Sequence, residues 1–368
     1  MKALLVVPRL PGTGHTGDRL RAGIHAAALA RAGYEVVFAS APAPGAFATG
    51  RGLVRALLSG EPLQSALFSG DWQGELSVSA ADAGLVVVLL PQRLPASVRA
   101  QLAGTPAVLD YIDALGFAAR QAASADPAAW RRLYWRFDAP RLERAERESA
   151  GRGAVLVATT PADAAQLPAG TCAVPNGVEI RPLAERPRGP VVAFTGRLRY
   201  RPNELAVQTL LSETWPRVRQ AVPGAELRLG GADAPAYLTR RHGRDGVTVT
   251  SPISDMASFL REARVAAVPV DLGTGTPNKL FEAFEAGCAV VATPAALARA
   301  ADGPSAPPAR AAGSPGETAA AIVDYLERPE AAAADGRAGR AWVEAHADRA
   351  ATLERLAALY ARARGERA

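Results

Sequence analysis

Short apolar runs alternate with longer amphipathic stretches along the chain. In the first half, the runs that predict buried strands lie at residues 3–7, 34–40, 84–90 and 106–110. Between the first two runs, five apolar residues fall on one helical face: Leu20, Ile24, Ala27, Ala28 and Leu29. Because a strand, a helix and a second strand in this order form a βαβ unit, the pattern predicts a parallel sheet covered by helices.

The same alternation starts again near residues 189–190. The predicted strands of the second half lie at residues 191–195, 226–230, 247–250 and 265–270, and the first predicted helix covers 204–222. A chain of 368 residues is long for one core and suits two domains of ordinary size. We therefore predict an α/β fold with parallel-sheet domains at residues 1–185 and 186–350, followed by a C-terminal helix at 351–368.

Two amphipathic segments of the first half fall outside this alternation. Residues 51–68 predict two short helices, broken at 60–62. Residues 130–152 interleave four aromatic side chains with three arginines: Trp130, Tyr134, Trp135 and Phe137 with Arg131, Arg132 and Arg136. This mixture is typical of helices that contact an anionic membrane surface. A charged helix that packs its aromatic face inward has the same pattern, and we favour that interpretation.

Composition and charge narrow the function classes. A hydrophobic content of 49% with 21% charged residues is typical of a soluble globular protein. No apolar run has the length that a bilayer requires, and residues 1–2 lead into a strand instead of a signal peptide, so we expect a cytoplasmic protein. The net charge of +6 favours anionic partners. Since no nucleic-acid-binding module is visible, we expect nucleotides or a phospholipid surface, and no nucleic acid.

The segment 271–293 carries the strongest chemical signal, a glycine-rich loop that enters a short helix and leaves by a strand. Thr276 is suited to cap the helix, Pro277 to occupy its first position and Gly287 to follow its last turn. The free N–H groups of such a helix point at the loop 273–275, where anions bind. The sequence therefore predicts a site for the phosphates of a nucleotide.

Lys279 and Glu282 are three positions apart and share one face of that helix. A diphosphate requires a cation and a ribose diol requires a hydrogen-bond acceptor, so the pair fits a nucleotide. The alternative is an exposed ion pair on a capped helix, and such pairs contribute little to stability.

A second glycine-rich loop, Gly12-Thr13-Gly14-His15-Thr16-Gly17, matches the dinucleotide-binding pattern GxGxxG. That pattern also requires an acidic residue at the end of the second strand, and here the strand ends in Phe38-Ala39-Ser40. Binding of NAD(P), as in an oxidoreductase or a sugar-nucleotide epimerase, is therefore the weaker interpretation of this loop.

Several segments together resemble one enzyme family. GTGTPNKLFEAFEAGCAVVAT (273–293), PNGVEI (175–180) and FTGRLRYRPNELAVQTLLSETWPRVRQAVPGAELRLGG (194–231) resemble the donor-site, interdomain and C-terminal-domain segments of GT-B glycosyltransferases of family 4. VLDYIDALGF (108–117) and TGDRLR (16–21) have counterparts in the exopolysaccharide-associated sugar transferases, the most similar subgroup. The resemblance implies a GT-B architecture, with two Rossmann-like domains facing a central cleft and a last helix that crosses back to the first domain.

The resemblance also implies site residues. Arg197 and Lys279 are implied to act on the donor diphosphate, and Asp113 is the candidate acidic group near the sugar. Asp113 follows a predicted strand, at the sheet edge where ligands collect, although loop and helix-capping aspartates are also common there. The other binding candidates are Gly14, Gly17, Gly196, Arg201, Thr274, Gly275, Thr276 and Glu282. Much of the family has a glutamate eight positions before the equivalent of Glu282, where this chain has Thr274.

We therefore expect a retaining, metal-independent glycosyltransferase that moves a sugar from a nucleoside-diphosphate sugar to a hydroxyl or amine acceptor. A polysaccharide, a lipid-linked intermediate or a small natural product would fit as acceptor, with peripheral contact to the inner membrane surface. No cofactor is expected, because no paired carboxylates of metal-binding spacing stand near the phosphate loops. The alternatives are an NAD(P)-dependent oxidoreductase or epimerase, indicated by the loop 12–17, and a non-catalytic sugar-nucleotide-binding protein, indicated by Thr274.

Overall fold

The structure is a computed structural model of the chain. It describes residues 1–8, 17–40, 46–68, 82–102, 104–150, 153–183, 187–271, 275–301 and 305–366, with the backbone alone for 46–49, 67 and 68. The chain divides into two compact units: unit 1 is Met1–Asn176 with Ala351–Ala368, and unit 2 is Gly177–Ala350. The predicted domain boundary, between 185 and 186, lies further along the chain than this division.

Unit 1 is built on a parallel sheet whose strand order among the described residues is β2-β1-β3-β4-β5-β6. Its strands are β1 Lys2–Val7, β2 Glu35–Ser40, β3 Leu85–Leu89, β4 Ala107–Asp110, β5 Val155–Ala158 and β6 Cys172–Ala173. Its helices are α1 Gly17–Arg31, α2 Ala46–Ser59, α3 Ala96–Gln101, α4 Leu115–Ala125, α5 Ala129–Ser149 and α6 Pro161–Ala164, with 3-10 turns at Leu63–Phe68 and Pro91–Arg93.

Both faces of this sheet are buried, which explains why its central strands are continuous apolar runs. Alternate residues of β1 face opposite cores: Leu5 lies in one and Leu4 in the other. The core that contains Leu5 also contains Leu356 and Tyr360, which lie on the last helix of the chain. The last helix therefore completes the core of unit 1.

Unit 2 is built on a second parallel sheet, of order β12-β11-β10-β7-β8-β9. Its strands are β7 Val191–Thr195, β8 Glu226–Gly230, β9 Val247–Thr250, β10 Val265–Val268, β11 Ala289–Ala292 and β12 Arg310–Ala311. The helices of the second half are α7 Arg201–Thr209, α8 Trp215–Ala221, α9 Ala236–Thr239, α10 Met256–Arg261, α11 Asn278–Glu285, α12 Pro294–Ala300, α13 Pro315–Glu327, α14 Pro329–His346 and α15 Arg349–Ala363. Two parallel sheets flanked by helices confirm the predicted α/β fold.

The helix predicted over 204–222 is interrupted in the structure. A π turn, Leu210–Thr214, joins α7 to α8, and the Trp215 N–H donates to the Leu210 carbonyl. Pro216 follows at once and has no N–H group to donate, so the wider turn accommodates it.

The amphipathic helices of unit 1 are present, but one interpretation of them is confirmed only in part. The predicted break at 60–62 separates α2 from the following 3-10 turn. The aromatic side chains of α5 divide between two faces: Trp130 is 68% exposed and Phe137 is 41% exposed, whereas Trp135 packs against buried Ala139 and Leu142. The buried residues of α5 are Asp138, Ala139, Leu142, Ala145, Glu146 and Ser149. Among the described residues, no helix has the length and apolarity that crossing a membrane requires.

Candidate functional site

Two glycines bring neighbouring loops of unit 2 into backbone contact. Gly196 follows β7 and Gly231 follows β8, with φ angles of 145° and 144°. A Cβ atom on Gly231 would lie 1.8 Å from the Gly196 carbonyl oxygen, which no side chain tolerates. These loops lie at the carboxyl edge of the sheet, where ligands of open α/β folds bind.

The amino group of Lys279 reaches the same place from α11. Its Nζ donates to Asn203 Oδ1 at 2.5 Å and lies 4.6 Å from the centroid of the Phe194 ring. A Cβ atom on Gly196 would lie 3.2 Å from this Nζ. Because Gly196 has no side chain, Lys279 has room to point between the loop and α7.

The local environment changes the proton affinity of Lys279. Burial lowers the pKa of Lys279 to about 7, Glu282 opposes this and Arg299 adds to it. The amino group is therefore only partly protonated at neutral pH. An anion bound beside it would favour the charged form and raise its pKa.

Glu282 lies on the same helix and is partly buried. Burial raises the pKa of Glu282, while Lys279 and Arg349 oppose this. Among the described residues, nothing donates a hydrogen bond to its carboxylate, and Lys279 donates to Asn203 instead of forming a salt bridge with it. The structure does not support the alternative of an exposed Lys279–Glu282 ion pair.

The predicted start of α11 is wrong and its predicted end is confirmed. The helix begins at Asn278 after Pro277, whose ψ of 71° is not helical, and no side chain caps it, so Thr276 is not the cap. The N–H of Gly287, at φ 71°, donates to Phe284, and the next N–H donates to Ala283. This pair of bonds is the Schellman arrangement, in which glycine follows the last turn.

Gly275 also has a left-handed backbone, with φ 76°, in the loop that leads to α11. Such a φ favours glycine over any other residue. Thr274, the predicted neighbour in this loop, lies outside the described residues.

The arginines predicted to meet the phosphates have carboxylate partners in the structure. Arg197 Nε donates to Asp233 Oδ2 at 2.6 Å, and both side chains are 46% exposed. Arg201 donates to Glu204 at 3.2 Å, while its buried Nε finds no partner among the described residues. Both guanidinium groups are therefore paired with carboxylates in the structure.

Asn203 connects the parts of this site and was missed in the sequence. It accepts from Lys279 and donates through Nδ2 to the Arg197 carbonyl at 2.9 Å. It is 6% exposed. The signal available in the sequence was the position of this asparagine, directly after Pro202 and the Arg-rich loop 196–201.

In unit 1, Asp113 lies just beyond β4, at the carboxyl edge of the sheet. Burial raises the pKa of Asp113 to about 7, Asp163 adds to this and Arg93 opposes it. Asp113 does not cap the following helix, because the Ala114 N–H at its start donates to Asp163. Gly17 is the first residue of α1 and has open space around it, and Gly14 lies outside the described residues.

A buried polar cluster near this edge was also missed. Asp110 Oδ2 lies 2.7 Å from Arg21 Nε and 2.7 Å from His25 Nε2, and His25 Nδ1 lies 2.7 Å from the Tyr360 hydroxyl. Burial would raise the pKa of Asp110, but Arg21 and His25 outweigh it and lower this pKa to about 2. Burial lowers the pKa of His25, although Asp110 opposes this. The cluster ties α1, β4 and α15 together.

Among the described residues, no group of three or more His, Cys, Asp and Glu side chains is placed to hold a metal ion. Metal independence stays a prediction.

Comparison with known proteins identifies the enzyme class. Residues 189–328, which include Gly196, Lys279 and Glu282, match the family described as Glycosyl transferases group 1. The chain is therefore a glycosyltransferase. A search of curated protein sequences finds no match.

The fold is that of the GT-B glycosyltransferases. Similar structures include Anabaena HepE with UDP and glucose, at TM-score 0.65 and 15% identity over 97% of this chain and 98% of that one. Sucrose-phosphate synthase from Thermosynechococcus elongatus has TM-score 0.69 and 18% identity over 98% of each chain. WaaG, a glycosyltransferase involved in lipopolysaccharide biosynthesis, has TM-score 0.67 and 16% identity over 97% of this chain and 99% of that one. At these identities the likeness shows the fold alone.

Proposed function

We propose that this glycosyltransferase transfers a sugar from a nucleoside-diphosphate sugar bound in unit 2, with retention of configuration and without a metal ion. The observation that carries the proposal is the Lys279 amino group, held by Asn203 in the space left by Gly196. HepE structures that contain UDP or UDP-glucose support a donor of this kind. Membership of family 4 and of its exopolysaccharide-associated subgroup belongs to the same proposal.

Lys279 acts on the charge that develops when the diphosphate leaves. As the bond to the anomeric carbon breaks, negative charge grows on the phosphate oxygen, and the protonated Lys279 and the N-terminus of α11 stabilise it. Arg197 and Arg201 join this role by exchanging Asp233 and Glu204 for phosphate oxygens. Glu282 accepts hydrogen bonds from the ribose hydroxyls.

Retention follows from attack on the face that the diphosphate leaves. The acceptor oxygen forms its bond to the anomeric carbon on that face, and its proton passes to the departing phosphate oxygen. This step requires no protein nucleophile.

On the acceptor side, Asp113 is able to hold or release a proton near neutral pH, because its pKa is raised to about 7 by burial and by Asp163. The acceptor is a hydroxyl or amine of a polysaccharide, a lipid-linked intermediate or a small natural product. A location in the cytoplasm, with peripheral contact at the inner membrane surface, is part of the proposal.

A nucleotide panel tests the donor class and the absence of a metal. Thermal unfolding is measured with UDP, GDP, TDP, ADP, NAD and NADP, each with and without EDTA. We expect one nucleoside diphosphate to stabilise the protein by about 2.7 kcal/mol at a concentration of 100 times Kd, with EDTA making no difference. Loss of this effect on chelation would show that a metal is required, and stabilisation by NAD or NADP alone would favour the oxidoreductase alternative. Product formation with an acceptor excludes a protein that only binds sugar nucleotides.

Replacement of Glu282 tests the ribose contact. Because a hydrogen bond to a charged acceptor contributes about 1.5 to 3 kcal/mol, we expect Glu282→Ala to weaken binding of the nucleoside diphosphate by roughly 10- to 150-fold. Titration calorimetry measures this, and Glu330→Ala, at an exposed glutamate of α14, is the matched control. A 2′,3′-dideoxy nucleotide should bind the wild type more weakly than its parent and should bind the variant about equally. Equal discrimination by both proteins would remove Glu282 from the ribose site.

A further inference from the structure

Two helices of unit 1 expose large apolar side chains. Seven residues define what we call the α2/α5 surface: Leu53, Val54, Leu57 and Leu58 of α2 with Trp130, Leu133 and Phe137 of α5. Leu58 is 85% exposed and Leu133 is 71% exposed. Most of the large hydrophobic side chains exposed in the described part of the chain lie here. Such a concentration marks an interaction site.

The apolar side chains of α5 form one stripe. Trp130, Leu133 and Phe137 are spaced by three and four positions, so they share a helix face. The buried residues Asp138 and Leu142 belong to a different face. The outward stripe is therefore not the edge of the core.

Helix α2 is inverted relative to an ordinary surface helix. Between residues 50 and 59, the buried positions are Gly52 and Ala56, and the leucines point outward. A helix that only covered a core would bury its large residues and expose its small or polar ones. The outward leucines of α2 are therefore available for a partner to bury.

Contacts hold the two helices in one region of unit 1. The chain that leaves α2 is fixed to the middle of α5, because the Leu63 N–H donates to Asp138 Oδ1 at 2.7 Å. On that chain, Glu61 lies 3.7 Å from Arg55 of α2.

The charges around this surface are basic. Arg131 lies 5.0 Å from the Trp130 ring and Arg141 lies 3.6 Å from the Phe137 ring. Arg51, Arg55 and Arg136 are exposed on the same helices. Residues 46–60 and 129–137 contain no Asp or Glu, and the first carboxylate on α5, Asp138, is buried.

The combination selects the partner. Aromatic and aliphatic side chains beside arginines suit the boundary between phospholipid headgroups and acyl chains. A second copy of the chain would place arginines against arginines, which opposes association.

We propose that the α2/α5 surface binds an anionic phospholipid bilayer, with its apolar side chains inserted at the headgroup boundary and its arginines on lipid phosphates. This attachment is peripheral. The proposal identifies the membrane as a partner of the enzyme. It rests on the proposed function only for the purpose of the attachment, which is to hold the enzyme where a lipid-linked acceptor is found.

Vesicle flotation tests the proposal with the full chain. Vesicles of phosphatidylcholine containing phosphatidylglycerol are compared with pure phosphatidylcholine, and we expect the wild type to float with the anionic vesicles. The triple variant Leu58→Ser, Trp130→Ser, Leu133→Ser should lower the partition coefficient by about 100-fold, because three apolar side chains no longer insert. The pair Arg51→Gln, Arg136→Gln should lower it by roughly 30-fold, at about 1 kcal/mol for each cation.

The matched control removes the same charge from unit 2. Arg240→Gln with Arg337→Gln, both at exposed positions, should change vesicle binding by less than about threefold, because charges away from the contact are screened. Equal loss in both arginine pairs would show that net charge alone drives binding and would overturn the proposal. Binding of the triple variant at the wild-type level would do the same. A third result would also overturn the proposal: the wild type does not float, and the triple variant differs from it in mass by size-exclusion chromatography. That result would indicate a protein interface.

Thermal unfolding and nucleotide binding of each variant show that it is folded. These measurements also separate this inference from the proposed function. A wild type that binds vesicles but no nucleoside diphosphate would overturn the proposed function and leave the membrane surface standing.

Discussion

We expect the Lys279→Met enzyme to turn over about 100- to 1,000-fold more slowly than the wild type, the range found when one preorganised group that stabilises developing charge is removed. Lys279 Nζ is held by Asn203 at the carboxyl edge of the unit 2 sheet, where the proposed leaving diphosphate lies. Methionine keeps the apolar length of the side chain and removes only the cation. Steady-state kinetics with the donor identified in the nucleotide panel measures kcat, which should fall together with kcat/KM.

Lys2→Met is the matched control, because Lys2 and Lys279 are the only lysines of the chain and Lys2 is exposed. Turnover of this control should equal that of the wild type. Wild-type kinetics in the Lys279→Met enzyme would remove Lys279 from the site.

The pH dependence of nucleotide binding provides a second test of Lys279. Burial lowers the pKa of Lys279 to about 7, so above this pH the free site is mostly uncharged and the diphosphate binds with uptake of a proton. Its Kd should therefore rise towards tenfold per pH unit between about pH 7.5 and 9. The Lys279→Met protein should lack this slope.

Asp110→Asn should destabilise unit 1 by about 3 to 5 kcal/mol, the cost typical of removing one partner from a buried ion pair. Arg21 and Asp110 are both fully buried, so the variant leaves the guanidinium without its carboxylate. His25 loses the same carboxylate oxygen. Urea unfolding followed by circular dichroism measures the shift in the midpoint.

A surface ion pair between α1 and α15, two of the elements that the buried cluster joins, serves as the control. Arg31 and Glu354 lie 2.8 Å apart with side chains 52% and 66% exposed. Glu354→Gln should change the free energy of unfolding by less than about 1 kcal/mol, because solvent screens such pairs. Similar changes in the free energy of unfolding for both variants would show that the buried cluster stabilises the protein no more than a surface ion pair does.

Acid should weaken unit 1 through the same cluster. The pKa of Asp110 is about 2 in the folded protein and 3.8 ordinarily, so its contribution is present above about pH 5 and is lost as the pH falls towards 2. The pKa of His25 is lowered from 6.5, so the unfolded chain binds the extra proton and stability also falls as the pH drops below that value. The difference in unfolding midpoint between wild type and Asp110→Asn should therefore shrink from pH 7 to pH 3.

The sequence predicted those features that depend on neighbouring residues. The apolar runs of β1 and β3 identify buried strands because both sheet faces are covered. Gly287 identifies the end of α11 because only glycine readily adopts the required φ. The start of the same helix was misplaced because Pro277 fits both the position before a helix and its first position.

Features that depend on distant partners were not predictable in this way. The pattern of α1 predicts Ala27 on the apolar face, but Ala27 is exposed, and Arg21 and His25 are buried although charged residues are usually exposed. Their burial depends on Asp110 and Tyr360, which lie far away in sequence. The outward face of α5 was missed for a related reason, since its pattern of aromatic residues and arginines does not reveal which face a neighbouring helix covers.

The return of α15 to unit 1 affects how the protein is made. Leu356 and Tyr360, which are at most 1% exposed, belong to the unit 1 core, yet the ribosome makes them after all of unit 2. Unit 2 is one continuous segment and is able to fold as soon as it has emerged, whereas unit 1 waits for the last helix. Domains usually complete folding in the order of their synthesis, and here we expect the reverse order. While unit 2 is being translated, the core of unit 1 still lacks its last helix. We therefore expect chaperones to bind the nascent chain mainly during this interval.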